Sequence, residues 1–239
     1  MTTDTVALVT GANKGLGLTT ARRLGALGWT ILAGARDPER GEKAVAELVA
    51  SGADARHVLL DVTSDASVAA AATRVAEEVG RVDVLVNNAG IVGPIVDPLD
   101  TGPDELLACY DVNLFGPVRV TRAFLPLLRA SDAPRVVMVS SGLGSLTITG
   151  DADRLESSIV SLPYPSSKSA LNMVTTMYAK ALPGWKVNAA DPGYTATDLN
   201  GHSGTQTVEQ GTDAIVALAT LGPDGPTGGF FDAAGRVPW

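Results

Sequence analysis

A tyrosine and a lysine, Tyr164 and Lys168, stand four positions apart in the sequence Tyr-Pro-Ser-Ser-Lys. They lie at the start of a predicted helix, and residues four apart on a helix share one face. An ammonium at roughly 5 Å, in a medium of effective dielectric constant about 20, would lower a phenol pKa by about two units. Burial would act against this shift. The pair therefore predicts proton transfer by a phenol whose pKa lies near the working pH.

Ser141 is a second candidate, because it follows the predicted strand 136–139. At the carboxyl end of a strand, its hydroxyl could donate a hydrogen bond to an oxygen on which negative charge develops. Tyr164 could equally be a packed aromatic side chain, and Lys168 a surface cation with an apolar stem. Only the combination favours catalysis over these structural roles.

A glycine-rich segment, Thr-Gly-Ala-Asn-Lys-Gly-Leu-Gly, follows the first predicted strand. Gly11 would permit a tight turn, Gly15 would let backbone N–H groups approach a pyrophosphate, and Gly17 would let a helix pack against the strand. Spacing alone does not distinguish this segment from an ordinary glycine-rich turn. Its place between the first strand and the first helix favours a nucleotide site. The other residues of the loop assigned to this site are Asn13, Lys14 and Leu16.

The end of the second predicted strand, which reads Gly34-Ala35-Arg36, indicates which nucleotide would bind. An acidic residue there favours NAD, whereas an arginine accommodates the 2′-phosphate of NADP. This chain has Arg36, and Lys14 could supply a second cation, so NADP(H) is the predicted cofactor. Asp37 leaves an alternative open, since it could reach a ribose hydroxyl if the strand ended one residue later. Its position before Pro38 favours capping of a helix.

The elements that must position these residues alternate along the chain. Apolar runs predict strands at 6–9, 30–33, 57–60, 82–86 and 136–139, and helical periods lie between them, at 16–27, 42–50 and 68–79 among others. A helix over 166–181, a strand over 187–190, a helix over about 208–220 and a strand over 228–231 follow. This alternation predicts a single α/β domain over 1–239, with a Rossmann-type, doubly wound parallel sheet of about seven strands and helices on both faces.

Composition excludes several function classes. The 239 residues include one cysteine and two histidines, too few ligands for a structural zinc site, and the chain is long enough to bury a core without disulfides. The net charge of −8 and the lack of a basic run argue against nucleic-acid and membrane partners. Asp4 stands where a signal peptide would carry basic residues, which predicts a cytoplasmic protein.

The chain resembles the short-chain dehydrogenase/reductase family over essentially its whole length. The motifs that carry the resemblance occur in the family's order, and they are 10–17, Leu60-Asp61-Val62, Asn87-Asn88-Ala89-Gly90, Asn113, Ser140-Ser141, 164–168 and Pro192-Gly193-Tyr194-Thr195-Ala196-Thr197. The first motif and the C-terminal Gly-Gly-Phe-Phe and Val-Pro-Trp are most similar to the carbonyl-reductase branch.

The resemblance implies a catalytic tetrad of Asn113, Ser141, Tyr164 and Lys168. In the family the asparagine backbone helps to hold a water that relays protons from the lysine, and the second serine of the pair acts on the substrate. Cys109, one turn before Asn113, is interpreted as a small core residue.

The resemblance also implies the cofactor contacts. Asp61 and Val62 would bind the adenine. The turn of Asn87, Asn88, Ala89 and Gly90 would support the cofactor ribose and the central strand. Tyr164 and Lys168 would also contact the cofactor, and the nicotinamide and the phosphates would meet Pro192, Gly193, Thr195 and Thr197. Thr195 departs from the apolar residue usual in the family at that position.

Together these residues predict an NADPH-dependent carbonyl reductase or alcohol dehydrogenase that acts on a small-molecule ketone or aldehyde. The alternative is a catalytically silent NADP(H)-binding redox sensor on the same fold. The substrate would meet loops at about 91–99, 143–163 and 194–207, whose apolar residues favour a hydrophobic carbonyl compound. Residues 198–207 are either a substrate lid or a plain flexible loop.

Ser141 and Tyr164 are 23 positions apart, farther than in most family members, because of extra residues around 150–156. In the carbonyl-reductase branch an insertion at this place blocks the usual tetramer interface. The resemblance therefore implies a monomer or a weak homodimer.

Overall fold

The strands of the chain lie in one sheet. The computed structural model describes residues 5–239, so Met1 to Asp4, including the aspartate of the N-terminal prediction, lie outside the described residues. The strands are β1 (Val6–Thr10), β2 (Thr30–Ala35), β3 (Asp54–Leu59), β4 (Val84–Asn87), β5 (Arg135–Val139), β6 (Lys186–Ala190), β7 (Phe230–Asp232) and β8 (Gly235–Val237).

Helices cover both faces of this sheet. The α-helices are α1 (Gly15–Gly25), α2 (Pro38–Ala50), α3 (Asp65–Glu78), α4 (Pro103–Tyr110), α5 (Gly116–Arg129), α6 (Leu146–Thr149), α7 (Pro163–Ala181), α8 (Val208–Gly211) and α9 (Asp213–Ala219). A π-helical turn, Asp111–Phe115, joins α4 to α5. Short 3-10 turns occur at Gly142–Gly144, Leu155–Ser158 and Asp198–Asn200.

The strand order is β3-β2-β1-β4-β5-β6-β7-β8, and β1 to β7 are parallel. This confirms the predicted doubly wound parallel sheet. The sheet has an eighth strand, one more than predicted, which pairs antiparallel with β7. The carboxylate of Asp232 forms the connecting turn by accepting the backbone N–H groups of Ala234 and Gly235 at 2.8 and 2.9 Å.

The apolar strands separate two cores. Ala7 and Val9 of β1 point into one cluster, together with side chains of α1, α2 and α9, whereas Val6 and Leu8 point into the other, with α3, α5 and α7. Successive side chains of a strand face opposite sides of a sheet. Because both sides are covered, every residue of β1 is buried, as its uninterrupted apolar sequence predicts.

Side chains cap the starts of two helices, and the cap at Asp37 is the one that the sequence predicts. Asp37 caps α2, since its side chain accepts the backbone N–H of Arg40 at 3.0 Å, and Pro38 is the first helical residue. Ser64 caps α3 by accepting the backbone N–H of Ser67 at 3.2 Å. β2 extends to Ala35, two residues beyond the predicted run 30–33, so Arg36 directly follows the strand. The Asp37 side chain is engaged in the helix cap, as its position before Pro38 predicts.

The order of the strands reverses between β1 and β4, where the connections leave in opposite directions. Crevices at such switch points, outside the carboxyl ends of parallel strands, are where ligands bind in this class of fold. The glycine-rich loop follows β1, and the Asn87-Asn88-Ala89-Gly90 turn follows β4. The fold therefore places two of the sequence motifs on either side of one crevice.

Gly17 is required by packing at this crevice. A Cβ at this position would lie 2.3 Å from the Gly11 carbonyl oxygen and 2.5 Å from Asn88 Nδ2. We expect Gly17→Ala to lower the free energy of unfolding by about 2–3 kcal/mol, measured by urea denaturation. Gly222→Ala is the matched control, because nothing lies within 4 Å of its added methyl. Equal urea midpoints for the two variants would contradict this account.

Candidate active site

A cavity of about 460 Å³ opens at the carboxyl ends of β1 to β4, at the switch point. Most of the residues assigned to the cofactor line it, namely Gly11, Asn13, Lys14, Gly15, Leu16, Gly17, Arg36, Asp61, Val62, Asn88, Ala89, Gly90 and Thr197. Other lining residues were not assigned to the cofactor. Ile91, Val92, Asp198 and Leu199 belong to loops assigned to the substrate, whereas Leu60, Thr63 and Val112 had no assigned contact. Leu60 could have been predicted as a lining residue, because it precedes Asp61 in the motif Leu60-Asp61-Val62.

Six residues assigned to the cofactor or to its supporting turn do not line this cavity, namely Asn87, Tyr164, Lys168, Pro192, Gly193 and Thr195. Lys168 lies just behind the cavity wall, since a Cβ on Gly90 would lie 3.6 Å from its Nζ. Thr195 is buried, and its hydroxyl donates to the Pro192 carbonyl at 2.8 Å. Its side chain is therefore engaged within its own loop.

The glycine-rich loop presents the start of α1 to the cavity. Gly11 and Gly15 have positive φ angles of 64° and 54°, which glycine adopts without a steric penalty. Lys14 precedes α1 in an extended conformation and provides no side-chain cap for the helix. The first N–H groups of a helix lack partners within the helix and attract anions. This end of the cavity therefore suits a phosphate group, with Lys14 and Arg36 on its wall.

Asn88 joins the two loops that border the cavity. Its Nδ2 donates to the Thr10 carbonyl at 2.9 Å, and the Thr10 hydroxyl accepts the backbone N–H groups of Asn88 and Ala89, each at 3.0 Å. The neighbouring Asn87 is buried instead, and its Nδ2 donates to the Thr121 hydroxyl at 3.1 Å. Asn88 thus lines the cavity and fixes its shape, whereas the Asn87 side chain belongs to the core.

Asp61 supplies a negative charge on the cavity wall, near Arg36. The backbone N–H of Thr63 holds the pKa of this carboxyl below its usual value, and the charges of Arg36 and Arg119 act in the same direction. Thr63 Oγ1 also donates to Asp61 Oδ1, at 2.8 Å. The carboxylate is therefore ionised and held in place at the wall.

Lys14 has an additional partner that the sequence did not indicate. Its Nζ lies 2.6 Å from Asp198 Oδ2, so this ion pair connects the glycine-rich loop to residues 198–207 across the cavity. His202 Nε2 lies 2.8 Å from the other oxygen of Asp198. Both partners of the Lys14 pair are more than half exposed, and such exposed pairs contribute at most about 1 kcal/mol. The pair therefore holds the two segments together only weakly.

The segment 198–207 is bound by its own hydrogen bonds. Asn200 donates from Nδ2 to the Thr195 carbonyl at 2.9 Å, and its Oδ1 accepts the Thr197 N–H at 3.2 Å. The backbone of Gln206 bonds with Tyr194 and Ala196. The segment therefore has a defined conformation beside the cavity, and its movement as a lid stays a prediction.

Three of the four residues of the implied tetrad, Ser141, Tyr164 and Lys168, lie together. Lys168 and the fourth residue, Asn113, lie behind Gly90, where a Cβ would be 3.6 Å from Lys168 Nζ and 3.4 Å from Asn113 Oδ1. The side chains of Ser141 and Tyr164 are hydrogen-bonded to one another. Lys168 Nζ lies 5.6 Å from the centre of the Tyr164 ring and donates to the Val139 carbonyl at 2.8 Å. Ser140 points elsewhere and donates to Asn172 Oδ1 at 2.6 Å. Ser141 is thus the serine that faces the phenol, as the resemblance implies.

The pKa of Tyr164 differs from the sequence prediction. Burial raises it to about 12, although the hydrogen bond from Ser141 acts in the opposite direction. Burial also lowers the pKa of Lys168 to about 8. The predicted lowering of the phenol pKa is therefore wrong for this arrangement, because loss of hydration is the largest effect on the phenol.

The Asn113 side chain fixes the loop that leads away from the cavity. Its Oδ1 accepts the Ile91 N–H at 2.9 Å, and its Nδ2 donates to the Ile91 carbonyl at 2.8 Å. Nδ2 also lies 3.1 Å from Ser167 Oγ, which donates to the Tyr164 carbonyl at 2.7 Å. Asn113 is fully buried in the π-helical turn. Sequence reasoning missed Ser167 and assigned Asn113 a role only through its backbone.

Cys109 packs beneath this network as a buried residue, and burial raises the pKa of its thiol. Its Sγ lies 3.6 Å from Ser167 Oγ. The interpretation as a small core residue therefore agrees with its surroundings. Among residues 5–239, no group of three or more His, Cys, Asp or Glu side chains is arranged to hold a metal ion. The helices of the same range include none long and apolar enough to cross a membrane.

The depressed pKa of Lys168 makes a prediction for stability. Between about pH 8 and the ordinary lysine value of 10.5, the unfolded chain binds more protons than the folded chain, so this residue's contribution to stability rises with pH. We expect Lys168→Met to be more stable than the unmodified protein by about 2 kcal/mol at neutral pH. That advantage should shrink by about 1.4 kcal/mol per pH unit between pH 8 and 10.

Urea denaturation of both proteins across this pH range measures the difference. Lys180→Met, at an exposed position of the same helix, is the matched control for removing a lysine. An advantage for Lys168→Met that does not change with pH would contradict the depressed pKa.

Comparison with known proteins adds independent findings. A family model for short chain dehydrogenases matches residues 5–207. A short-chain dehydrogenase of Penicillium roqueforti, anuI, is 39% identical over 92% of this chain and 90% of that protein. (+)-Neomenthol dehydrogenase of Arabidopsis thaliana is 35% identical over 96% of both chains. The crystal structure of NADPH-bound carbonyl reductase from chicken fatty liver superposes with a TM-score of 0.87, at 28% identity, over 100% of both chains.

These likenesses extend over nearly the whole of the chain and of its relatives, and they agree with the motifs that surround the cavity. The chain belongs to the short-chain dehydrogenase/reductase family of oxidoreductases.

Proposed function

We propose that the protein is an NADPH-dependent carbonyl reductase, or in the reverse direction an alcohol dehydrogenase, that acts on a ketone or aldehyde. The observation that carries this proposal is the hydrogen-bonded pair of Ser141 and Tyr164 with Lys168 beside them, directly behind the cavity wall at Gly90. A proton donor and a second hydrogen-bond donor there suit an oxygen whose charge changes during reaction.

The cavity fits a dinucleotide with a 2′-phosphate. It combines the uncapped start of α1, glycines that leave room for close approach, and two cations, Lys14 directly before α1 and Arg36 directly after β2. Asp61 and Val62, which also line the cavity, would meet the adenine. The chicken carbonyl reductase that shares the fold binds NADPH, which supports the same choice here. When bound, this cofactor supplies or accepts the hydride.

The residues of the chain would provide the proton and the electrostatic support. Tyr164 Oη donates its proton to the carbonyl oxygen as hydride reaches the carbonyl carbon, so that an alcohol results. Ser141 donates a hydrogen bond to the same oxygen, and the ammonium of Lys168 stabilises the phenolate left on Tyr164. A tyrosine pKa of about 12 keeps the phenol protonated at neutral pH, which favours the reductive direction.

The substrate would be hydrophobic. Exposed apolar side chains occur on all three loops assigned to the substrate, namely Ile95 and Leu99, Leu146 and Val160, and Tyr194 and Leu199. Apolar walls with few polar groups are typical of small-molecule sites. The similarity to neomenthol dehydrogenase agrees with an apolar substrate class. A monomer or weak homodimer and a cytoplasmic location stay predictions from the sequence.

Tyr164→Phe tests the proposed chemistry, because it removes the proton donor and keeps the ring. We expect NADPH-dependent reduction to fall by at least about a thousandfold, while NADPH binding, followed by cofactor fluorescence, changes less than about threefold. Tyr178→Phe, on the same helix, is the matched control and should retain activity. Reduction by Tyr164→Phe at near-normal rates would overturn the mechanism.

Before this test, the protein is assayed for NADPH oxidation with a panel of ketones, aldehydes and quinones as substrates. NADPH binding without turnover of any compound would instead support the redox-sensor alternative. Turnover with NADPH that depends on Tyr164 would exclude it.

Arg36→Ala tests the choice of cofactor. Loss of a charge-assisted contact to the 2′-phosphate should raise the dissociation constant of NADPH by about tenfold or more and leave that of NADH nearly unchanged. Arg40→Ala is the matched control, since Arg40 is an exposed arginine one helical turn further on and does not line the cavity. Equal losses for the two nucleotides would argue against 2′-phosphate recognition by Arg36.

A further inference from the structure

Asp191 is a buried acidic residue that the proposed chemistry does not use. It follows β6 directly, between the active-site loops, and is only 9% exposed. Its Oδ1 accepts the backbone N–H of Gly193 at 3.0 Å, and the backbone N–H of Gly142 donates to the same carboxyl group. Gly142 follows Ser141, whereas Gly193 belongs to the loop assigned to the nicotinamide. One carboxylate therefore connects two loops that must act together.

The charged groups around Asp191 come from three other elements. Tyr164 on α7, Glu156 in the turn Leu155–Ser158, and Asp232 on β7 all interact electrostatically with it. A Cβ on Gly142 would lie 3.0 Å from Asp191 Oδ2 and 3.1 Å from Glu156 Oε1, so the two carboxylates converge beside this glycine. Arg154 lies 3.3 Å from the same oxygen of Glu156 and offsets part of its charge.

The carboxyl group is subject to opposing effects. Burial is the largest effect and raises the pKa of Asp191 above the usual aspartate value, and the N–H groups of Gly193 and Gly142 oppose this rise. These donors stabilise the ionised form, so Asp191 carries its charge at the alkaline pH at which a tyrosine loses its proton. That charge opposes formation of a phenolate on Tyr164 and adds to the rise in the tyrosine pKa.

We propose that Asp191 is a positioning residue of the active site, whose carboxylate holds the Ser141 and Gly193 loops together and whose negative charge keeps the proton on Tyr164. This inference rests on the proposed function, because it assigns to Tyr164 the proton that the reaction consumes. Two variants separate the two roles. Asp191→Asn removes the charge and keeps one acceptor oxygen, and Asp191→Ala also removes that oxygen.

The charge role of Asp191 is tested by the pH dependence of kcat for alcohol oxidation. Oxidation needs the ionised Tyr164 as a base, so the midpoint of the rise in kcat with pH reports ionisation of Tyr164. Loss of a nearby negative charge makes the phenol more acidic, so Asp191→Asn should move the midpoint down by about one pH unit. An unchanged or raised midpoint would overturn the charge role.

A second measurement does not depend on turnover. Fluorine NMR of protein labelled with 3-fluorotyrosine reports ionisation of each phenol, and Tyr164→Phe assigns the signal. The Tyr164 signal should titrate about one pH unit lower in Asp191→Asn than in the unmodified protein. If the unmodified protein reduced no carbonyl compound, the proposed function would fail, yet this titration would still test the effect of Asp191 on Tyr164.

For the loop contacts, the measurement is kcat for carbonyl reduction at neutral pH. We expect Asp191→Asn to retain kcat within about threefold and Asp191→Ala to lose at least a further tenfold. Equal kcat values for the two variants would overturn the positioning role. Asp83→Asn is the matched control, because its carboxylate also accepts a backbone N–H, that of Val6 at 2.8 Å, but precedes β4 at the other end of the sheet. It should leave the Tyr164 midpoint unchanged.

Discussion

A lysine ammonium buried in the interior is the feature on which the rest of the site depends. Lys168 is 4% exposed, and the depression of its pKa to about 8 corresponds to roughly 3 kcal/mol of lost hydration. Its bond to the Val139 carbonyl compensates in part, and a parallel sheet presents such carbonyls at the carboxyl ends of its strands. α7 must hold its position for this bond to form. Gly144 allows the required approach, because a Cβ there would lie 2.7 Å from the Lys168 backbone.

The same end of the sheet provides the cavity. β1 and β4 are neighbours, and Asn88 and Thr10 lock their outgoing loops to each other. The positive start of α1 lines the cavity at this junction, and Lys168 and Asn113 lie behind Gly90. One set of strand ends would thus support both the proposed nucleotide site and the proposed proton transfer, although the residues are far apart in the sequence.

Features set by local sequence could be predicted. Uninterrupted apolar runs indicate strands buried on both faces, and glycine spacing identifies the loop after β1. Contacts between distant segments could not be predicted from the sequence. The ion pair between Lys14 and Asp198 is an example, since these residues are 184 positions apart. The direction of the Tyr164 pKa shift could not be predicted either, because the burial of Tyr164 depends on how the whole molecule packs. β8 was missed because its three residues, Gly235–Val237, carry too short a pattern.

The π-helical turn between α4 and α5 has a consequence for how the chain tolerates insertions and deletions. The backbone N–H of Gly116 bonds to the carbonyl of Asp111, five residues earlier, so the turn contains one residue more than an α-helix needs. Deleting one residue just before Asn113 would restore regular helical hydrogen bonding and rotate every preceding side chain by about 100° relative to Asn113. Cys109 would then leave its place beneath Asn113 and Ser167. The extra residue thus preserves a register in which α4 can pack and Asn113 can face Ile91.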